Sequence, residues 1–209
     1  MAKKTPTKLR RQCNADDVGA LVRWMGDTYK VPIVDKATAP EMKLAAAVLE
    51  ALGVLDGEVF LRDYSTYLFG KVYLPFKPGS TTNLGGEIVT IAHEYGHAFQ
   101  EQRAGRGLEF EVDYLDTAKR AVIEAECYAL GACLAIRYPT AFTSAPSQVA
   151  LAILAFRSGY GSIPVAHVNR FAAELNRRVD EYRLNGQPFN LHLRRVTNLL
   201  DRRLVRRHW

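Results

Sequence analysis

Apolar positions recur with a helical period through most of the chain. Asp16 to Lys30 predicts a helix with acids in its first turn, ended ahead of Pro32. Pro40 to Leu52 predicts a second, with proline at its start and apolar residues at Met42, Leu44, Ala45, Val48, Leu49 and Leu52. The pattern changes at Gly57. GEVFLRDYSTYLFGKVYLPF is rich in β-branched and aromatic residues around a polar centre, and predicts strands over Glu58–Arg62 and Thr66–Leu74. Gly70 is expected to mark a bulge, and Pro75 an edge position near the strand end. After the loop KPGSTTNLGG the helical period returns. It runs over Leu84–Gln102 with Asn83 as cap, then over Ala118–Arg137, Gln148–Arg157, Val165–Leu184 and Leu191–Val205. The expected fold class is α+β, with strands confined to one region and helices dominant.

Composition adds little to the fold but constrains the setting. The 48% hydrophobic and 24% charged shares are those of a globular protein with a substantial core. The longest apolar runs, LAAAVLEALGVL and VALAILAF, are too short to span a bilayer, and no apolar run follows the charged N-terminus as a signal peptide requires. Cys13, Cys127 and Cys133 are sparse and odd in number, which argues for a reducing compartment and an intracellular, cytoplasmic location. The net charge of +6 gathers at the ends, MAKKTPTKLRRQ and DRRLVRRHW. Residues 1–14 are expected to form a basic flexible arm ahead of a single domain over 15–209. The basic ends could meet nucleic acid or an acidic surface, although a solvated tail and helix face are the simpler reading.

The candidate chemistry lies in IAHEYGHAFQ, residues 91–100. His93 and His97, at i and i+4 on a helix, stand on one face and can share one metal. Glu94 is turned about 100° from His93 around the axis, beside the metal and free to take a proton from water. Gly96 costs about 1 kcal/mol relative to alanine inside a helix, so a close approach by a neighbouring helix or the metal is expected there. A catalytic zinc needs a third protein ligand. The position six residues after His97, where one family of metallopeptidases places a third histidine, is Arg103. Downstream, Glu124 and Glu126 point about 200° apart on their helix, so only one can face the metal.

These residues resemble the gluzincin branch of the zincin metallopeptidases, in which HExxH on one helix is joined by a glutamate on the next. Residues 124–131, EAECYALG, are similar to the thermolysin-like stretch E-A-x-S-D-x-F-G. That register makes Glu124 the ligand and puts Tyr128 where the family has an acid that orients a histidine. A second register resembles bacterial neutral zinc peptidases carrying HEYGHxxQ and then E-x-x-A-D-C-Y-A. There Glu126 takes the aspartate place, and the ligand place falls on Val122, which cannot bind zinc. The resemblance therefore implies zinc held by His93, His97 and Glu124, with Glu94 as catalytic base and a peptide or protein as substrate. It also implies a zincin-like fold: a small sheet, a zinc-binding helix pair and a helical C-terminal part. The edge strand for substrate is expected at Tyr67–Leu74, and Tyr160 and His167 are candidates to stabilise the oxyanion. The alternative is a zincin-fold binding or structural protein whose basic ends contact nucleic acid or a larger assembly.

Overall fold

The computed structural model describes residues 9–53, 55–105, 113, 115–158 and 163–206. Helix α1 (Ala15–Tyr29) starts with a capping box: Asn14 Oδ1 accepts from Asp17 N at 3.1 Å, and Asp17 Oδ2 accepts from Asn14 N at 2.9 Å. Val18, Leu21, Met25 and Tyr29 form its buried stripe, and Lys30 in the left-handed region closes it before Pro32. Helix α2 (Pro40–Ala51) begins on its proline as expected.

The segment that follows departs from its reading as a strand. Gly57–Asp63 is a short helix, α3, whose N-cap Asp56 accepts from Val59 N at 2.8 Å. Gly57 and Phe60, three apart, bury one face of it. A Cβ on Gly57 would lie 3.2 Å from the Ala46 carbonyl oxygen, so glycine permits α2 and α3 to meet. The aromatic and β-branched content that suggested a strand here serves helix packing instead.

The strands β3 (Thr66–Leu68) and β4 (Lys71–Leu74) form an antiparallel hairpin. Its turn residues Phe69 (φ 49°) and Gly70 (φ 70°) both lie in the left-handed region, as a two-residue hairpin turn requires. Gly70 is thus a turn residue and not a bulge. A third strand that the pattern did not reveal, β2 (Ile33–Asp35), pairs parallel to β4. The order is β2-β4-β3, so β4 is central, Pro75 lies just beyond its end, and β3 is an edge. Alternation along β4 divides the two sides: Tyr73 packs with Met42, Ala46 and Phe60 of α2 and α3, while Val72 and Leu74 enter the main core.

Helix α4 (Leu84–Ala104) is capped by Asn83, which accepts from Gly86 N at 2.9 Å. Helix α5 (Thr117–Arg137) lies against it, capped by Asp116. A Cβ on Gly96 would stand 2.9 Å from Cys127 Sγ, so Gly96 answers the close approach of these two helices. Helices α6 (Ala145–Ser158) and α7 (Val165–Asn185) cover α5, and Phe156 of α6 stacks on Phe171 of α7 with centroids 4.2 Å apart. Helix α8 (Leu191–Leu204) docks under α4: buried His192 places Nε2 2.8 Å from the Ala92 carbonyl and Nδ1 2.6 Å from the Tyr29 hydroxyl. Since the carbonyl only accepts, Nε2 carries the proton, and burial holds this ring's pKa down to about 4.

Residues 9–14, expected inside the flexible arm, are engaged. Leu9 and Arg10 (β1) pair antiparallel with Val205 and Arg206 (β5), and the Arg11 fork meets buried Asp17 at 2.7 Å, where Arg203 also binds at 3.2 Å. One fully buried carboxylate, from the capping box of α1, thereby joins Arg11 to Arg203 of α8.

Candidate metal centre

The two histidines of α4 and one glutamate of α5 converge. His93 Nε2 and His97 Nε2 are 3.2 Å apart, and Glu124 Oε2 stands 3.2 Å from the first and 3.6 Å from the second. The helical spacing aligns the two imidazoles, and the absence of a side chain at Gly96 lets α5 bring Glu124 up to them. The Glu124 side chain is 1% exposed and that of His93 12%, so the cluster is buried but opens on the His93 side. Two imidazole nitrogens and one carboxylate oxygen, all within 4.8 Å of one another, form a donor set that zinc takes in catalytic sites. This buried arrangement of His93-Glu94-x-x-His97 with Glu124 matches the HExxH metal site of zincins, and it supports zinc-dependent peptidase chemistry.

Three carboxylates near the cluster differ in environment. Burial pushes Glu94 above the usual carboxylate range, although both imidazoles pull the other way. Burial acts likewise on Glu124, but there the adjoining imidazoles of His97 and His93 win and hold it far down. Burial lowers His97 in turn, and Cys127 and Glu124 more than offset this, leaving it well above the ordinary histidine value. Glu126 turns away from the cluster: it accepts from Arg103 at 3.1 and 3.2 Å, from Gln100 at 3.2 Å and from Asn190 at 2.7 Å. Of the two glutamates left open by helical geometry, only Glu124 reaches both histidines.

The cluster opens into a cleft of about 780 Å³ that includes Glu94 and Tyr128 beside the three donors. One wall is Thr66, Tyr67 and Leu68 of the sheet edge, so the strand beside the metal is β3. The other carries Leu151, Ala152 and Ala155 of α6. Tyr67 donates its hydroxyl hydrogen to Glu101, tying β3 to α4. Lys36 fixes the first wall from behind. Its Nζ, fully buried, donates to the carbonyls of Phe60 (2.9 Å) and Tyr64 (2.8 Å) and to Thr66 Oγ1 (3.0 Å), and lies 3.4 Å from the Phe60 ring centroid. Burial holds Lys36 down to about 7, against the field of Glu94.

His167 does not line the cleft: its Nδ1 meets Thr117 Oγ1 at 2.6 Å, two helical turns before Glu124. Tyr160 lies outside the described residues. Tyr128, Lys36, Gln100 and Asn190 were not singled out as functional by the sequence. Gln100 had a local signal, three residues past His97 on the same helix and in the string HEYGHxxQ, and Tyr128 had its place one turn after Glu124, where the resemblance expects an acid. Of the basic ends considered for nucleic acid, Arg11 and Arg203 are engaged in ion pairs with Asp17; further along, Arg177 pairs with Glu174 and Glu181, and Arg178 with Glu174. Among the described residues, no helix is long and apolar enough to cross a membrane. No protein-family model, curated protein or solved structure matches the chain.

Proposed function

We propose that the protein is a zinc-dependent peptidase, with His93, His97 and Glu124 holding the metal and Glu94 as general base. One observation carries the reading: the three donor atoms lie 3.2–3.6 Å from one another with Glu94 beside them, at the floor of a cleft bounded by the edge strand β3. Zinc, when bound, supplies Lewis acidity that acidifies a water and polarises the scissile carbonyl. The chain supplies the rest. Extended substrate backbone pairs with β3, whose outer edge has no strand partner among the described residues. Glu94 takes the proton released as water attacks the carbonyl and returns it to the departing nitrogen. Burial raises the Glu94 carboxyl, which suits a group that must both take and give a proton. For the charge that develops on the carbonyl oxygen we assign the hydroxyl of Tyr128. This residue lies one turn beyond Glu124 on the same face of α5, with its ring centroid 4.4 Å from that of His93. Three free thiols, Cys13, Cys127 and Cys133, fit an intracellular setting.

The test is cleavage of a mixed fluorogenic peptide pool by zinc-loaded wild type and Glu94→Gln. Wild-type cleavage that falls about 10²–10⁴-fold in the variant, with zinc content unchanged, is the expected result. Equal cleavage by the two proteins would remove Glu94 from the mechanism. No cleavage of any peptide by zinc-loaded wild type would overturn the peptidase reading.

A further inference from the structure

We infer that Gln100 and Glu126 are positioning residues for the metal: together they dictate which nitrogen of His97 faces the cluster and hold the ring there. The inference rests on the zinc reading above.

The amide of Gln100 can be oriented from its neighbours. Its Nε2 lies 3.0 Å from the Ile123 carbonyl oxygen and 3.2 Å from Glu126 Oε2, both acceptors, so the NH₂ group belongs at that end. Its Oε1 therefore faces His97 Nδ1 at 3.1 Å, with Cys127 Sγ, a weak donor, 3.4 Å away. An amide oxygen cannot donate, so His97 Nδ1 carries the hydrogen. In the neutral ring the lone pair is then on Nε2, the nitrogen facing His93 and Glu124. A flipped amide would set its NH₂ against Nδ1 and its oxygen against two acceptors.

Glu126 keeps that amide from turning, and is itself saturated. Its Oε1 accepts from Arg103 Nη1 (3.2 Å) and Asn190 Nδ2 (2.7 Å), and its Oε2 from Arg103 Nη2 (3.1 Å) and Gln100 Nε2 (3.2 Å). A carboxylate offers about four lone-pair sites, all acceptors, and these donors take them. Asn190 is oriented in turn, because its Oδ1 caps α8 by accepting from Leu193 N at 2.8 Å. A directional chain thus runs from the start of α8 through α5 to His97 on α4. It also explains why α5 carries two glutamates on opposite sides: Glu124 toward the metal, and Glu126 toward the group that orients a ligand of that metal. Replacing Glu126 by glutamine would convert two of its acceptor positions into donors facing donors.

The experiment is zinc affinity of the full chain, measured by competition with a chelator of known strength. It is accompanied by thermal melting and by NMR detection of the His97 Nδ1–H proton. Outer partners of metal-bound histidine are worth about 10–100-fold in affinity. Gln100→Leu and Glu126→Gln should each weaken zinc by that order, with the Nδ1–H signal lost or exchanging fast while the fold melts cooperatively. Arg103→Gln, at a side chain 54% exposed in the parent and replaced by one that still offers a donor, should keep a cooperative melt and weaken zinc a few-fold. If either buried variant fails to fold, Arg103→Gln decides. Wild-type affinity and an unchanged Nδ1–H signal in the folded variants would overturn the inference while leaving the metal site standing. A wild type that binds no zinc would instead sink the metal reading itself.

Discussion

The two sides of the cleft are built on different principles. The metal side, α4 and α5, obtains its geometry from local helical spacing: His93 and His97 one turn apart, Glu124 and Tyr128 one turn apart, and Gly96 letting the helices close. The facing wall, α3 and β3, obtains its geometry from one distant residue. Lys36, more than twenty positions away from each group it binds, reaches through the small core to hold Phe60, Tyr64 and Thr66. Chemistry is thus encoded in short repeats within rigid helices, and the substrate-facing edge in a single long-range cation. The two sides should be separable by mutation.

The largest expected effect that keeps them apart is on the metal side. Removing one oxyanion donor typically costs about 10²–10³-fold in kcat. Tyr128→Phe should show a loss of that order in peptide turnover, with KM and zinc affinity near wild type. A fall in zinc affinity without a separate fall in kcat would recast Tyr128 as a support for the His93 ring. On the opposite wall, Lys36→Met strands buried carbonyl oxygens, each worth about 1–3 kcal/mol when left unsatisfied. Denaturant melts should show a loss of at least that size and peptide KM should rise, with zinc affinity unaltered. Lys36 also carries a pH signature. Its folded pKa, about 7, is below the ordinary lysine value, so the unfolded chain binds more protons between the two. Stability should therefore rise with pH from about 7 to about 10.4 through this group, and Lys36→Met should flatten that rise.

Smaller effects sharpen the comparison. Gly96→Ala gains about 1 kcal/mol of helix propensity. It also drives a methyl to 2.9 Å from Cys127 Sγ, an overpacking that costs about 1–3 kcal/mol. Melting should move little or fall, while zinc affinity drops as α4 and α5 part; unchanged zinc affinity would show that the helix spacing is not what sets the site. Arg177→Ala, on the exposed face of α7, breaks ion pairs worth a few tenths of a kcal/mol and should leave turnover, zinc and Tm within error.

How much of this was legible in the residues follows the same division. The histidine pair, the Asn83 cap and most of the helices declare themselves through spacing within one element, and the structure has them within a few residues of expectation. Glu124 and Glu126 were separable only through resemblance, because a helix wheel says that two faces differ without saying which one meets α4. Glu58–Arg62 misled because EVFLR has strand composition, while its Asp56 cap and the fit of Gly57 against α2 decide for helix. Ile33–Asp35 is three residues long and exists as a strand only through its partner β4, almost forty positions away. Lys36 left no local mark, since its partners are tertiary, and the local pattern marks Asn190 only as a helix cap, not as a partner of Glu126.

Zinc titration of chelator-stripped protein, wild type beside Glu124→Ala and Glu126→Ala, tests the central claim most directly. The account predicts one zinc per wild-type chain, binding lost in Glu124→Ala, and binding weakened but still stoichiometric in Glu126→Ala. Zinc retained at full strength by Glu124→Ala, or no zinc bound by wild type, would contradict it.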